Sequence, residues 1–323
     1  MIRLLLASMI AFYITPGNCL AEKVGPAQQL QYFGNRMVEG TWIQKSPSDG
    51  VGSQHVYKWA LGNSFVLRYE KNVGKPDALT VGGVDPKTKL QTWWSFQNDG
   101  NIQITRADVD RVAPDADKVM LVDKDGDTIG VADVEYEGED TLLIDPQSGT
   151  DASGAKLVAE KWQRSEDVDI GWLDAKQPAK TPAQMWLARH STGKKWIDGV
   201  MPDGSEFLGA GYGKWILSGK FHVFTSSTAG NDQTTWGHVV ITGIDPKTNK
   251  LAAWEFTSLG ATNYVTFDNS GQTITGEGML PDGSTHSFKG RFEMDGNTLR
   301  YKSKISRSSG EAMPYGWNYR DAD

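Results

Sequence analysis

The sequence predicts an all-β protein made of two tandem antiparallel units, each led by a short helix. Three observations carry that prediction. The stretch Val81-Gly82-Gly83-Val84-Asp85-Pro86-Lys87-Thr88, running on to Trp94-Ser95-Phe96, returns as Ile241-Thr242-Gly243-Ile244-Asp245-Pro246-Lys247-Thr248, running on to Trp254-Glu255-Phe256. One constant offset separates Asp85 from Asp245 and Trp94 from Trp254, so the match needs no gap. Short β-branched and aromatic runs are cut by turn signals at regular intervals in both halves, the mark of an antiparallel barrel or sandwich. Finally, each half opens on a proline-led helical segment, Pro26-Ala27-Gln28-Gln29-Leu30-Gln31-Tyr32-Phe33 and Pro182-Ala183-Gln184-Met185-Trp186-Leu187.

The elements follow in order. Proline is tolerated in the first turn of a helix, and Thr181 is suited to cap the second one. Such a helix is placed to plug one end of a barrel or to cover a sheet edge. Gly40-Thr41-Trp42-Ile43 then pairs with Lys194-Lys195-Trp196-Ile197, each followed by an Asp-Gly turn at Asp49-Gly50 and Asp203-Gly204. Tyr57-Lys58-Trp59-Ala60-Leu61 pairs with Gly213-Lys214-Trp215-Ile216-Leu217, and Phe65-Val66-Leu67-Arg68 with Phe221-His222-Val223-Phe224. Strand alternation sets Trp59 with Leu61 on one face. The recurrence of Phe65 and Leu67 as Phe221 and Val223 marks that parity as the core side and leaves His222 facing solvent.

In the repeated hairpin, proline pre-sets φ and the preceding aspartate is placed to accept a backbone N–H. Later matches join Asp125-Gly126 to Asp282-Gly283 and Thr141-Leu142 to Thr298-Leu299, and the copies close on Trp162 and Trp317. The polar, proline-bearing stretch 165–181 has a linker composition. The domain reading is therefore 22–164 and 182–323 around that linker.

Composition narrows the function. The chain has 323 residues, 12 Trp, 36 Gly and a net charge of −7. Glycine supplies turns and bulges, and tryptophan fills wide spaces between strands. The acidic balance argues against nucleic acid as a partner. Arg3, the apolar run Leu4 to Ile14, and Cys19-Leu20-Ala21 read as an export signal over residues 1–21, too short to anchor in a bilayer. The expected location is periplasmic or secreted. Cys19 is the only cysteine, so its removal would exclude disulfides, thiolate metal sites and cysteine nucleophiles together.

The leading helix, Gly40-Thr41-Trp42, Lys58-Trp59-Ala60-Leu61-Gly62, Val84-Asp85-Pro86 and Trp93-Trp94-Ser95-Phe96 together resemble an uncharacterised family of bacterial lipocalin-like, calycin-type domains. The resemblance covers most of 26–164 and, more loosely, 182–320, where Lys194 stands in place of the first glycine. It implies two tandem lipocalin-like β-barrels and supplies no catalytic residues.

Eight of the tryptophans fall in matched pairs: Trp42/Trp196, Trp59/Trp215, Trp94/Trp254 and Trp162/Trp317. They either fill each barrel or line a pocket for an apolar or planar ligand. The candidate ligand-binding set is His55, Tyr57, Trp59, Trp94, Trp215 and Trp254, with His55 as a polar group at a pocket mouth. Trp93, matched by Ala253, lies opposite Trp94 and is the candidate for a surface contact. Asp123-Lys124-Asp125-Gly126-Asp127 has the carboxylate alternation of a calcium loop but lacks its sixth-position glycine and terminal glutamate, so a hairpin turn is expected. His222 and His238 are spaced to meet across a hairpin, yet no histidine pair has metal-site spacing. No nucleophile elbow, phosphate loop or dinucleotide fingerprint occurs. The expected function is exported, non-catalytic binding of a small, largely apolar molecule, with no cofactor and no metal. The alternatives are a lipid- or isoprenoid-modifying calycin-type enzyme, and an envelope interaction module presenting Trp93 or Trp172.

Overall fold

The computed structural model describes residues 25–38, 40–45, 51–113, 115–151, 153–165, 174–175, 181–200, 204–230, 235–307 and 312–322. The export signal, Trp172 and the Asp49-Gly50 turn lie outside the described residues.

Each half forms a closed antiparallel barrel of ten strands, preceded by a helix. Helix α1 (Pro26–Met37) leads into β1 (Gly40–Lys45), β2 (Val51–Ala60), β3 (Phe65–Lys71), β4 (Ala78–Val84) and β5 (Gln91–Gln97). The first barrel continues through β6 (Ile102–Ala113), β7 (Ala116–Val122), β8 (Thr128–Glu137), β9 (Thr141–Gly149) and β10 (Glu160–Ser165). Helix α2 (Pro182–Ser191) then leads into β11 (Gly193–Val200), β12 (Glu206–Ile216), β13 (Phe221–Gly230), β14 (Thr235–Asp245) and β15 (Lys250–Thr257). The second barrel continues through β16 (Thr262–Phe267), β17 (Thr273–Met279), β18 (Thr285–Asp295), β19 (Thr298–Arg307) and β20 (Ala312–Asp321). Both are meanders in which consecutive strands pair, closed by β1 against β10 and by β11 against β20. No helix among the described residues is long and apolar enough to cross a membrane. Ten strands enclose a wider bore than the eight of a lipocalin, and such a bore must be filled or left as a cavity.

The duplicated hairpin is built alike in both halves. Asp85 accepts from Lys87 N at 2.9 Å and from Thr88 Oγ1 at 3.1 Å. Asp245 accepts from Lys247 N at 2.9 Å and from Thr248 Oγ1 at 3.2 Å. The turns end on Lys89 and Asn249, at φ 59° and 53°. Asp123 likewise ties a turn, accepting from the backbone N–H groups of Asp125 and Asp127 at the β7–β8 hairpin. At α2 the expected cap is complete: Thr181 Oγ1 accepts from Gln184 N while the Gln184 side chain accepts from Thr181 N.

The barrels pack side against side through the outer faces of β3–β5 and β13–β15. One apolar cluster joins Phe65, Leu67, Leu79, Val81, Trp94 and Phe96 to Ile216, Leu217, Phe221, Val239, Ile241 and Phe256. The contacts are reciprocal. Phe65 meets Phe256 at a ring separation of 5.4 Å, and its counterpart Phe221 meets Phe96, the counterpart of Phe256, also at 5.4 Å. Such exchange of equivalent partners is the pattern of a two-fold interface, here between halves of one chain. Ser64 Oγ donates to Ser258 O, and Lys89 Nζ to Pro281 O, across the same seam. Leu61 and Leu217 occupy equivalent turns beside it with φ of 56° and 52°. A branched residue in this left-handed region costs on the order of 1–3 kcal/mol, and packing into the seam holds both in place.

Three readings of side-chain direction are corrected here. The parity of Phe65, Leu67 and Phe221 is buried, but against the other barrel rather than inside its own. His222 therefore points inward and is 1% exposed, not solvated. Trp42 and Trp196 are not equivalent: β1 pairs Gly40 with Tyr57, whereas β11 pairs Gly193 with Gly213. The structural counterpart of Trp42 is thus Lys195, and Gly193 holds the glycine position. A one-residue slip reverses every face of a strand, so Trp42 is 1% exposed while Trp196 is 51% exposed.

Because the seam joins both barrels, Phe256→Ala should cost about 3–5 kcal/mol, the usual range for deleting a buried phenylalanine. Urea denaturation monitored by tryptophan fluorescence measures this, and a loss below about 1 kcal/mol would mean that the seam contributes little.

Candidate functional site

The two lumens differ because their inward positions differ. Register places His55, Tyr57, Arg68 and Trp93 of the first barrel opposite Gly211, Gly213, Phe224 and Ala253 of the second. Three large inward side chains are thereby replaced by two hydrogens and a methyl group.

In the first barrel the lumen is occupied by its own side chains. Trp42, Tyr57, Val66, Tyr136, Leu142 and Trp162 form one buried cluster with Leu30 and Met37 of α1, and Phe33, Trp59 and Trp93 pack against it. The Gly34 backbone lies directly on the Trp59 indole, leaving no room for a Cβ. Within this packing sits a charged network. Arg68 Nε donates to Glu70 Oε1 at 2.9 Å, the Thr80 hydroxyl donates to the same oxygen, and His55 Nε2 lies 3.7 Å from Glu70 Oε2. The His55 ring lies tilted against Trp162, with the ring centres 4.2 Å apart. Burial alone would raise the Glu70 carboxyl, but Arg68, His55 and Thr80 together hold it below its ordinary value. Burial pushes His55 down to about 4 and Tyr57 up to about 12. His55 is therefore neutral near pH 7.

The second barrel holds a cavity of about 320 Å³ that Ala253 lines, whereas the Phe224 ring covers Gly211, and Ser191 O and the His222 ring cover Gly213. Trp186, Leu187 and His190 of α2 close one end, and Leu259, 57% exposed, stands at the other. Most of the wall is apolar or aromatic, including Phe224, Trp236, Phe288, Trp317 and Tyr319. A polar group is set into it across β14, β15 and β16. His238 Nδ1 donates to Glu255 Oε1 at 2.6 Å, and Asn263 Nδ2 donates to Glu255 Oε2 at 2.8 Å. His286 on β18 lines the cavity close by. Burial would neutralise both members of the pair. Their mutual bond and charge win instead, holding His238 above and Glu255, helped by Asn263, below their usual values. The pair is an ion pair facing an apolar space, with about a quarter of each side chain accessible. Among the described residues no group of three potential ligands is placed to hold a metal ion.

The sequence-predicted residues divide. His55, Tyr57 and Trp59 meet in the first lumen. Trp215 enters the second, where it is buried beneath Leu187 and Ala188 of α2. Trp94 and Trp254 enter neither. They point outward at the seam and line a recess of about 540 Å³ between the Asp85–Lys87 turn and the outer face of the second barrel. Trp93, expected on the surface, faces inward and meets Phe33 at 5.3 Å. His222 and His238 do not face each other: β13 and β14 pair His222 with Thr242 and Ser226 with His238. Glu255 and Asn263 went unremarked in the sequence. Their only signal was Glu255 standing where the first copy has Ser95.

No protein-family model matches the chain, and no curated protein matches it. Solved structures are similar to it only at low TM-scores. A de novo designed fluorescence-activating β-barrel is 14% identical over 42% of this chain and 97% of its own, with a TM-score of 0.24. A protein of unknown function from the DUF3598 family of Nostoc punctiforme is 10% identical over 90% of this chain and 97% of its own, TM-score 0.21. Transferrin Binding Protein B from Haemophilus parasuis, a vaccine antigen, is 12% identical over 85% of this chain and 66% of its own, TM-score 0.18. Likeness this slight carries no functional argument. The two closed antiparallel barrels themselves fit a calycin-like tandem fold.

His55 and His222 are both buried and both held near 4, below the 6.5 of an unfolded histidine. The unfolded chain then binds more protons between those values, so folding stability falls as pH drops from 6.5 towards 4 and is fully present above 6.5. Each histidine contributes on the order of 3 kcal/mol to that slope. Urea midpoints measured at pH 7 and pH 4.5 should differ accordingly, and His222→Gln should flatten the dependence. An unchanged slope in that variant would refute the assignment to His222.

Proposed function

We propose that the protein is an exported, non-catalytic carrier that binds one small, largely apolar molecule in its second barrel, while the first barrel is a filled structural partner. The observation that carries this reading is the aromatic-walled cavity of the second barrel, which Ala253 lines where the first barrel has the inward-facing Trp93. Its volume is at the low end for small-molecule sites. Export rests on the amino-terminal segment read from the sequence, and the periplasm or the exterior is the location it supports.

The enzymatic alternative draws on the same His238–Glu255 pair. A general base needs to be free to take a proton near neutrality, whereas here the imidazole and the carboxylate engage each other, Glu255 holding His238 above its usual value and His238 and Asn263 holding Glu255 below its own. Binding is the better account. The interaction-module alternative loses the inward-facing Trp93 as a contact residue.

N-phenyl-1-naphthylamine, a neutral apolar dye, tests the proposal. Its fluorescence should rise on binding to the full chain with one site per molecule. Ala253→Phe, which fills the cavity, should weaken binding at least tenfold without lowering the melting temperature. Dye binding that survives this substitution would place the site elsewhere and overturn the reading.

A further inference from the structure

Among the described residues Glu255 is the one acidic side chain of the cavity wall, His238 is its ion-pair partner, and no lysine or arginine lines it. The first lumen carries Arg68 at the position of Phe224, so the only guanidinium that this inward position could have supplied is replaced by a phenyl ring. An anionic amphiphile would meet a carboxylate whose counter-ion, His238, is already bound to it at 2.6 Å, and would find no unengaged cation to offset it, which is costly. A cation would find carboxylate lone pairs still to be filled.

We propose that the second-barrel cavity takes a small aromatic or alicyclic amine in its protonated form, with the ammonium on the Glu255 carboxylate and the ring system among Trp236, Phe288, Trp317 and Tyr319. The proposal rests on the reading of this cavity as a ligand site and names the ligand class. Each Glu255 oxygen accepts one hydrogen bond, from His238 or from Asn263, and each has a second lone pair to offer. Asn263 Oδ1 beside it is a buried acceptor with no hydrogen-bond partner. A polar group so rich in acceptors matches –NH₃⁺, which brings three donors and no acceptor. The surrounding indole, phenyl and phenol rings add attraction for a cation close to their faces. A purely hydrocarbon ligand would use the rings and leave the acceptors unmet.

His238 completes the logic. In the empty barrel its imidazolium is the counter-ion of Glu255. An incoming ammonium takes over that role, so the two cations compete and binding expels the His238 proton. The other titratable groups facing the pair are His286 on β18, Tyr301 on β19 and Tyr319 on β20, with His190 and His222 farther along the lining. Burial, with a smaller contribution from Glu255, drives both tyrosine hydroxyls upward, so neither titrates near neutrality. Amine affinity should therefore rise with pH as His238 loses its proton, until the amine itself deprotonates.

Equilibrium dialysis of the full chain with 1-naphthylmethylamine, 1-methylnaphthalene and 1-naphthoate decides the matter. At pH 8 the amine should bind at least tenfold more tightly than the hydrocarbon, and the carboxylate most weakly. Amine affinity should fall severalfold from pH 8 to pH 6 while hydrocarbon affinity stays level. Glu255→Gln should bring the amine to the hydrocarbon's affinity without altering the latter. If that variant does not fold, the ranking and pH dependence on the native protein decide alone. Hydrocarbon binding equal to or tighter than amine binding would overturn the amine assignment and leave the apolar-ligand reading standing. No binding by any probe would overturn both.

Discussion

The seam between the barrels is the constraint on which the other features depend. Strands β3–β5 and β13–β15 are apolar on their outer faces, and an isolated barrel would present those faces to water. Closing them against each other buries Phe65, Phe96, Phe221 and Phe256 almost completely. It also decides which parity of each strand remains for the interior. Once Phe65 and Leu67 are committed outward, Val66 and Arg68 must face the lumen, and the alternation continues through neighbouring strands. The reciprocal Phe65–Phe256 and Phe221–Phe96 contacts mean that one structural solution serves both copies.

Given that seam, the lumens were free to diverge. A ten-strand barrel has more interior than a few aliphatic side chains fill. The first copy solves this with indoles, a plugging helix and the buried Arg68–Glu70–His55 network. That network is sustained by complete pairing, since removing one member would strand a charge in the interior. The second copy takes the opposite course, with Ala253 lining a cavity where the first copy has Trp93. Its remaining charge, Glu255, is balanced within the barrel by His238. Opening a cavity forgoes packing enthalpy and burial in that barrel.

Much of this was legible along the chain, and the misreadings are instructive. The Asp-Pro-Lys-Thr hairpins, the two leading helices and the Thr181 cap were readable because their chemistry is local, a side chain meeting a backbone group a few residues away. The direction of Trp93 and Trp94 was not. Alternation establishes that they oppose each other, and matching between the copies points Trp94 to the lumen. A seam between copies preserves matched residues equally well, and Trp94/Trp254 are matched for that reason. Trp42/Trp196 misled in another way. Sequence similarity aligned the indoles, while hydrogen-bond register aligned Trp42 with Lys195, and a single-residue difference turned one ring outward. Trp93 over Ala253 was the most informative mismatch, since it marks where the second lumen opens.

By itself the sequence determined the strand-rich class, the duplication and the positions of the turns, because repeats, alternation and turn chemistry are written in near neighbours. Only the tertiary structure decided which face of each strand is interior, that the barrels share a core, and that His238, Glu255 and Asn263 converge on one cavity. Those outcomes depend on register and on packing between segments far apart in the chain, and no local pattern encodes either.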